Sequence, residues 1–127
     1  MTIEYALEPE LSAAEFRAVL IASTLGERRP VNEPARLERM LREADVIVTA
    51  RDGKRLVGVS RAITDFAYCC YLSDLAVDTA YQNQGIGKQL VAETGRAAGA
   101  SAMLLLLAAP AAEGYYSKIG MKHFNSC

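Results

Sequence analysis

The chain has 127 residues, of which 51% are hydrophobic and 23% are charged, and its formal net charge is −1 at pH 7. This composition excludes a largely disordered chain, and the length suits a single domain spanning residues 1–127. The balanced charge lacks the basic footprint typical of nucleic-acid binding, so we expect no nucleic-acid partner.

Signals for a membrane or a secreted protein are not visible in the sequence. The longest apolar run, residues 102–109, is far too short to span a bilayer. Residues 1–4 form neither a basic nor an apolar leader region. Three cysteines and one histidine cannot build a disulfide framework or a His-rich metal site. We therefore expect a reduced, cytoplasmic protein with no metal and no membrane partner.

The first half of the chain predicts a strand, two helices and an antiparallel meander. Ser12 is a helix cap, Gly26 a helix end, and Asp52-Gly53 a strong hairpin signal. Thr64-Asp65 offers a second turn. The predicted elements are a strand at 2–7, helices from Ser12 to Gly26 and at 35–44, and strands at 46–50, 56–63 and 66–77.

The second half predicts a βαβ unit followed by short elements. The continuous apolar run 101–107 is typical of a strand buried on both faces. The predicted elements are a helix at 85–98 stopped by Gly99, a strand at 101–107, a helix from Pro110 to about Lys118, and a last strand from Met121. A block of strands followed by a βαβ unit indicates an α/β (or α+β) domain with a mixed sheet.

The most informative segment follows the strand that ends at Val77. A polar turn leads to Gly85 and Gly87 at the start of a helix, with Lys88 in its first turn. A helix N-terminus has unpaired N–H groups and about half a positive charge, and glycines let an anion approach the backbone. The segment therefore predicts a phosphate-binding turn.

Two common phosphate motifs do not fit this segment. The P-loop pattern requires Gly at position 82 and Ser or Thr at 89, where the chain has Gln82 and Gln89. The dinucleotide fingerprint requires a third glycine at position 90, where the chain has Leu90.

A family resemblance accounts for the segment better. Gln82-x-x-Gly85-x-Gly87 after Leu75-Ala76-Val77 resembles the acetyl-CoA loop of the GNAT-type N-acetyltransferases. Residues 111–121 are similar to that family's late segment, in which two aromatic residues precede a Lys and a Gly-aromatic pair. The resemblance covers about residues 68–121.

The resemblance implies a fold, an activity and a set of site residues. The fold is a mixed central sheet with helices on both faces and a splayed strand pair that binds acetyl-CoA. The activity is direct transfer of the acetyl group to a primary amine of a small-molecule or peptide acceptor. Tyr116 matches the family's general acid. The implied cofactor-binding residues are Leu75, Ala76, Val77, Gln82, Asn83, Gln84, Gly85, Ile86, Gly87, Lys88 and Tyr116.

The proton chemistry of this assignment is reasonable. A thiol has a pKa near ~8.5 and a phenol near ~10, so a tyrosine can protonate the departing sulfur. An alkylammonium has a pKa near ~10.4, so the attacking amine must lose a proton. Asp74 and Ser73 are the nearest candidates for the base, with Asp74 the catalytic carboxylate we expect.

Departures from the family pattern leave alternatives open. Ala109 stands where the family often has Asn, and the chain stops at Cys127, about one strand earlier than most members. An open sheet edge invites pairing, so we expect a homodimer. A catalytically silent CoA-binding or partner-binding protein on the same fold is the alternative. The order Ser60, then Asp74 or Asp78, then His123 also follows a hydrolase triad, but Ser60 lies within a predicted strand rather than a strand-to-helix turn.

Overall fold

The computed structural model describes residues 2–108 and 113–122. The described residues form an α/β fold with a five-stranded mixed sheet. The elements are, in chain order, β1 (Ile3–Leu7), α1 (Ala13–Ala22), α2 (Pro34–Arg42), β2 (Val46–Asp52), β3 (Arg55–Thr64), β4 (Cys69–Val77), α3 (Ile86–Ala98), β5 (Met103–Leu105) and α4 (Glu113–Lys118). Two short 3₁₀ turns, Leu25–Arg28 and Thr79–Tyr81, precede α2 and α3 respectively.

The strand order in the sheet follows the chain, from β1 to β5. β1 to β4 pair antiparallel with their neighbours, whereas β5 pairs parallel to β4 after the crossover through α3. The hairpin predicted at Asp52-Gly53 is confirmed, and Gly53 takes the left-handed conformation that such a turn needs (φ +62°).

Helices cover both faces of the sheet, as expected. On one face, α1 and α2 bury Phe16, Leu20 and Leu37 against side chains of β2 and β3. On the other face, α3 buries Leu90 against a cluster from the same two strands. The α3 side is also tied by a buried hydrogen bond of 2.6 Å between the hydroxyls of Ser60 and Thr94. Ser60 is therefore an interior strand residue, which removes the support for a nucleophile there.

The first helix ends earlier than predicted. α1 stops at Ala22, and the end predicted at Gly26 is wrong because Thr24 adopts a left-handed conformation (φ +72°). The Ser23 hydroxyl stabilises this break by donating to the Leu20 carbonyl (2.9 Å) and accepting from the Leu25 amide (3.1 Å). The chain then forms the 3₁₀ turn Leu25–Arg28, which lies beside β4.

The apolar run 101–107 is not buried on both faces, so that prediction is wrong. Only Met103–Leu105 form a strand, and Met103 and Leu105 are about half exposed. Leu104 packs on the α3 side, but no helix in residues 2–108 or 113–122 covers the opposite face of β5. Within the described part of the chain, the apolar side chains of this run are therefore covered on one face of the sheet only.

Several expectations lie outside the described residues. These are the helix start at Pro110, Ala109 in place of the family's Asn, His123, and the last strand beyond Lys122. The helix predicted there is described from Glu113 to Lys118. Among the described helices, none combines the length and the apolar character needed to cross a membrane.

Candidate functional site

A cavity of about 910 Å³ opens beside β4, and we call it the cleft. Its walls come from four places: the end of α1 with the 3₁₀ turn Leu25–Arg28, the second half of β4, the loop and first turn of α3, and α4. Leu106 and Leu107 close the side beyond β5. The segments that the sequence singled out, around Gly85 and around Tyr116, therefore meet at one cavity although about 30 residues separate them.

Within residues 2–108 and 113–122, no strand pairs with the edge of β4 along the cleft. The pairing of β4 with β5 stops at Tyr71 and Leu105, while β4 remains paired with β3 as far as Val77. A β-bulge at Ser73 interrupts the β3–β4 register, since Arg61 pairs with Asp74 and the next residue pairs with Leu72. Bulges bend a strand, and this one lies just after the two strands part. The splayed strand pair is thus present in the described structure.

The bulge also shifts the alternation of side chains along β4 between the two faces of the sheet. Before it, Cys70 faces the α3 side of the sheet; after it, Leu75 and Val77 face that side and Ala76 faces α1. Leu75, Ala76 and Val77, predicted to bind the cofactor, all line the cleft. The apolar spacing of two residues to Leu72 and then three to Leu75 is the sequence signal that could have located the bulge.

The loop from β4 to α3 is held in shape by its own side chains. The Gln82 side-chain amide donates to the Val77 carbonyl at 3.0 Å, which closes the loop onto the end of β4. Asn83 and Gly85 both have positive φ, at +64° and +83°. Backbone turns of this kind orient successive N–H groups toward one point and favour anions. Gln82, Asn83 and Gly85 line the cleft, which accords with the predicted role of the loop.

The N-terminus of α3 lies at the cleft without a side-chain cap. The first N–H to bond within the helix is that of Gln89, which donates to the Gly85 carbonyl at 3.1 Å. Ile86 and Gly87 line the cleft, whereas the side chains of Gln84 and Lys88 are exposed and do not belong to its lining. The backbone amides before Gln89 are therefore the groups through which this helix end can hold an anion.

Gly87 is in close contact with α4. A Cβ placed at Gly87 would lie 2.2 Å from the hydroxyl oxygen of Tyr115. A side chain at this position is incompatible with the present Tyr115, whereas a Cβ at Gly85 would meet open space and glycine is needed there for the backbone conformation. Tyr115 was not among the predicted site residues, although it belongs to the aromatic pair that carries the family resemblance.

Tyr116 lines the cleft and is partly buried. Burial raises the pKa of its phenol above the ordinary value, and the neighbouring Tyr115 adds to this, while the positive charge of Arg29 lowers it. The two tyrosine rings meet edge to face with centroids 5.3 Å apart. The phenol is accordingly protonated at neutral pH and available as a proton donor.

A buried ion cluster lies behind the bulge. The Asp74 carboxylate is fully buried and accepts a hydrogen bond from Arg29 Nε on one oxygen and from Arg61 Nε on the other. Arg29 also donates to the Ser73 carbonyl (2.8 Å), and Arg61 to the Ser73 hydroxyl (3.0 Å). Arg29 lines the cleft, but Asp74 does not. This arrangement, which the sequence did not predict, fixes the 3₁₀ turn and the bulge to each other.

Comparisons with known proteins agree with this geometry. A family model described as an acetyltransferase (GNAT) domain matches residues 43–122. The chain is 47% identical over 38 residues to "Histone acetyltransferase TAP1" of Glycine max, covering 30% of this chain and 16% of that protein. It is 46% identical over 44 residues to "GCN5-related N-acetyltransferase 2, chloroplastic" of Arabidopsis thaliana, covering 35% of this chain and 17% of that protein. The matched segments thus span less than a fifth of either relative.

Solved structures show the same fold over nearly the whole chain. An acetyltransferase of the GNAT family from Streptococcus pneumoniae TIGR4 superposes with a TM-score of 0.79 at 25% identity, covering 95% of this chain and 88% of that one. The aminoglycoside N-acetyltransferase AAC(6')-Iy in complex with CoA superposes with a TM-score of 0.76 at 15% identity, covering 99% of this chain and 91% of that one.

Proposed function

The chain belongs to the GNAT acetyltransferase family, and from this premise we propose that it transfers the acetyl group of acetyl-CoA to a primary amine. The observation that carries the proposal is the meeting of three features at one cleft. They are the unpaired edge of β4, the uncapped N-terminus of α3, and Tyr116.

The residues of the cleft suit acetyl-CoA. The free backbone edge at Leu75, Ala76 and Val77 can pair with the amide-bearing pantetheine arm as a further strand would. The loop shaped by Gln82 and Asn83, with the amides of residues 84–88, would hold the pyrophosphate at the helix N-terminus. The structural neighbour described in complex with CoA has the same fold, which supports CoA as the ligand here.

We assign Tyr116 as the general acid. Acetyl-CoA supplies a thioester whose carbonyl carbon the neutral amine attacks, so that a C–N bond forms and the C–S bond breaks. Tyr116 donates its proton to the departing sulfur and recovers one from solvent, and the amine releases its own proton. The partial burial of Tyr116 at the cleft and its raised pKa support this role, because the donor stays protonated at neutral pH.

For Asp74 we propose a role different from the base expected from the sequence. Its two oxygens are occupied by the guanidinium groups of Arg29 and Arg61, and its side chain does not border the cleft. A carboxylate with both oxygens bound to guanidinium groups and no exposure to the cleft does not reach an amine there. We therefore assign Asp74 as a positioning residue that holds Arg29 and the Ser73 bulge.

Calorimetric titration with acetyl-CoA and CoA, with ATP and NAD as controls, tests the ligand. We expect selective binding of the two CoA ligands and its loss in Gly85→Asp, which adds a negative charge at the helix N-terminus. Gly53→Asp is the matched control, since Gly53 also has a positive φ and open space but lies in the β2–β3 hairpin. Equal binding by wild type and Gly85→Asp would contradict the loop assignment.

An amine screen for thiol release tests the activity. CoA binding with no amine-dependent thiol release would instead indicate the catalytically silent CoA-binding protein. The cytoplasmic location and the homodimer stay predictions. Analytical ultracentrifugation tests the dimer, and a monomer at high concentration would refute it.

A further inference from the structure

The cleft has two ends that present different groups, backbone amides at one and arginine side chains at the other. The loop at residues 82–87 lies beyond Val77, whereas Arg29 contacts the carbonyl of Ser73. Ser73 and Val77 are four residue steps apart, which is about 13 Å along β4. The phosphate-binding end and the end lined by the 3₁₀ turn are therefore distinct, and we call the second one the acceptor end.

The acceptor end has more positive than negative charge. The buried cluster places one carboxylate, Asp74, between two guanidinium groups, and the side chains of Arg29 and Arg61 are only 23% and 8% exposed. Within residues 2–108 and 113–122, Arg28 and Glu27 also line the cleft, and neither makes an ion pair there. The cleft lining with the cluster behind it thus holds three arginines and two carboxylates, of which Arg61 and Asp74 lie behind the lining, and this leaves one positive charge in excess.

An excess positive charge at this wall favours a ligand of opposite sign. Glu27 and Arg28 are exposed at the mouth of the cleft, and an arginine fork binds a carboxylate through two charge-assisted hydrogen bonds. Arg29 is already bound to Asp74, to the Ser73 carbonyl and to the Arg28 carbonyl, so its orientation is fixed. Arg28 makes no side-chain contact of this kind within the described residues and is the arginine available to a ligand.

We propose that the acceptor is an amine that also carries a carboxylate, as an amino acid or an acidic peptide does, and that Arg28 binds this carboxylate in front of the Arg29–Asp74–Arg61 cluster. The inference rests on the proposed acetyl transfer and names the class of its acceptor. Glu27, an acidic residue of the cleft lining, lies beside Arg28 and suits the ammonium of the same molecule before the amine loses its proton and attacks.

The test compares each acceptor as its acid and as its primary amide. Amino acids are assayed against amino acid amides, and dipeptides with Asp or Glu against those with Asn or Gln, by thiol release from acetyl-CoA. We expect a kcat/KM about 10- to 100-fold higher for the acids. Arg28→Gln should bring the ratio of acid to amide close to one, and Arg28→Glu should invert it.

Arg36→Gln is the matched control. Arg36 is an exposed arginine of α2 that pairs with Glu33 at 3.4 Å and does not border the cleft. We expect this variant to keep the wild-type ratio. Amides that react as well as acids in the wild-type protein, or a ratio unchanged by Arg28→Gln, would overturn the inference.

Two further measurements separate the inference from the proposed function. Titration of the CoA-bound protein with N-acetyl amino acids and their amides measures the carboxylate preference without turnover. If the protein binds the acids in preference to the amides but releases no thiol, the proposed acetyl transfer is contradicted while the carboxylate site is supported. The last control measures how Arg28→Gln binds acetyl-CoA and dephospho-CoA, which lacks one phosphate. If Arg28→Gln loses affinity for acetyl-CoA but not for dephospho-CoA, Arg28 binds that phosphate of the cofactor, and the inference is overturned.

Discussion

Gly87 lies directly beneath the hydroxyl of Tyr115, and Gly87→Ala tests whether this contact positions α4. The added Cβ would lie 2.2 Å from the hydroxyl oxygen and 3.1 Å from the ring carbon that bears it. Non-bonded heavy atoms need about 3.5 Å, so the hydroxyl must retreat by more than ~1 Å. The Tyr115 side chain is 39% exposed, so its ring can swing outward without displacing the core.

The expected result is a loss of activity with little loss of stability. Alanine is favoured over glycine in a helix by about 1 kcal/mol, which offsets part of the repacking, so the free energy of unfolding should change by about 1 kcal/mol or less. Because Tyr116 is the next residue of α4 and its ring contacts that of Tyr115, we expect kcat/KM in the thiol-release assay to fall by about tenfold or more.

Two variants isolate the contact itself. Gly95→Ala is the matched control in the same helix, since a Cβ there would meet only Leu104 at an ordinary 3.9 Å, and it should retain wild-type kcat/KM. Tyr115→Phe removes the hydroxyl, so adding Gly87→Ala to it should cost far less than in the wild type. Wild-type activity of Gly87→Ala, or an equal loss in both backgrounds, would refute the reasoning.

Three further predictions concern Tyr116, the buried cluster and the β1 side of the sheet. Tyr116→Phe should lower kcat by about 10²–10⁴-fold with little change in the Kd of acetyl-CoA. Because burial raises the Tyr116 pKa above its usual ~10, the midpoint of the alkaline loss of wild-type activity due to this residue should lie above about pH 10; a lower midpoint would exclude Tyr116 as its cause. Asp74→Asn leaves buried guanidinium charge unpaired and should lower the free energy of unfolding in urea by about 3 kcal/mol. Glu33→Gln, at an exposed ion pair, should lower it by about 1 kcal/mol or less. Similar losses in the two variants would contradict the burial argument. A hydrogen bond from Arg51 lowers the pKa of Glu8. The stabilisation from this carboxylate is therefore present above about pH 4.3 and is lost as the pH falls through the lowered pKa. Between about pH 3 and pH 6, the free energy of unfolding should depend less steeply on pH in Glu8→Gln than in the wild type.

Local chemistry explains which parts of the fold could be predicted. The hairpin at Asp52-Gly53 and the helix after Gly85 have strong local signals, in turn residues and in apolar spacing, and the structure agrees with both. The run 101–107 was misjudged because apolar composition shows what a segment could bury and not whether anything covers it. The end of α1 was misjudged because a threonine in a left-handed conformation carries no sequence signal.

The candidate site shows the same division between local and distant causes. The loop around Gly85 could be located because a phosphate turn depends on residues adjacent in sequence. The role of Asp74 depends on Arg29, 45 positions away, and on Arg61. Contacts at such separations follow from the fold, and no spacing within β4 could have predicted them.

The Ser73 bulge connects the two ends of the cleft physically. It coincides with the point where β4 leaves β5, and so with the start of the free edge proposed for the cofactor. The same residue is bound through its carbonyl by Arg29 and through its hydroxyl by Arg61. Because the cluster holds both the carbonyl and the hydroxyl of Ser73, we expect it also to hold the bend of β4 at which the free cofactor edge begins. A change at Asp74 should therefore weaken acetyl-CoA binding as well as carboxylate selectivity, although Asp74 borders neither ligand. Unchanged affinity for acetyl-CoA in a folded Asp74→Asn protein would contradict this coupling.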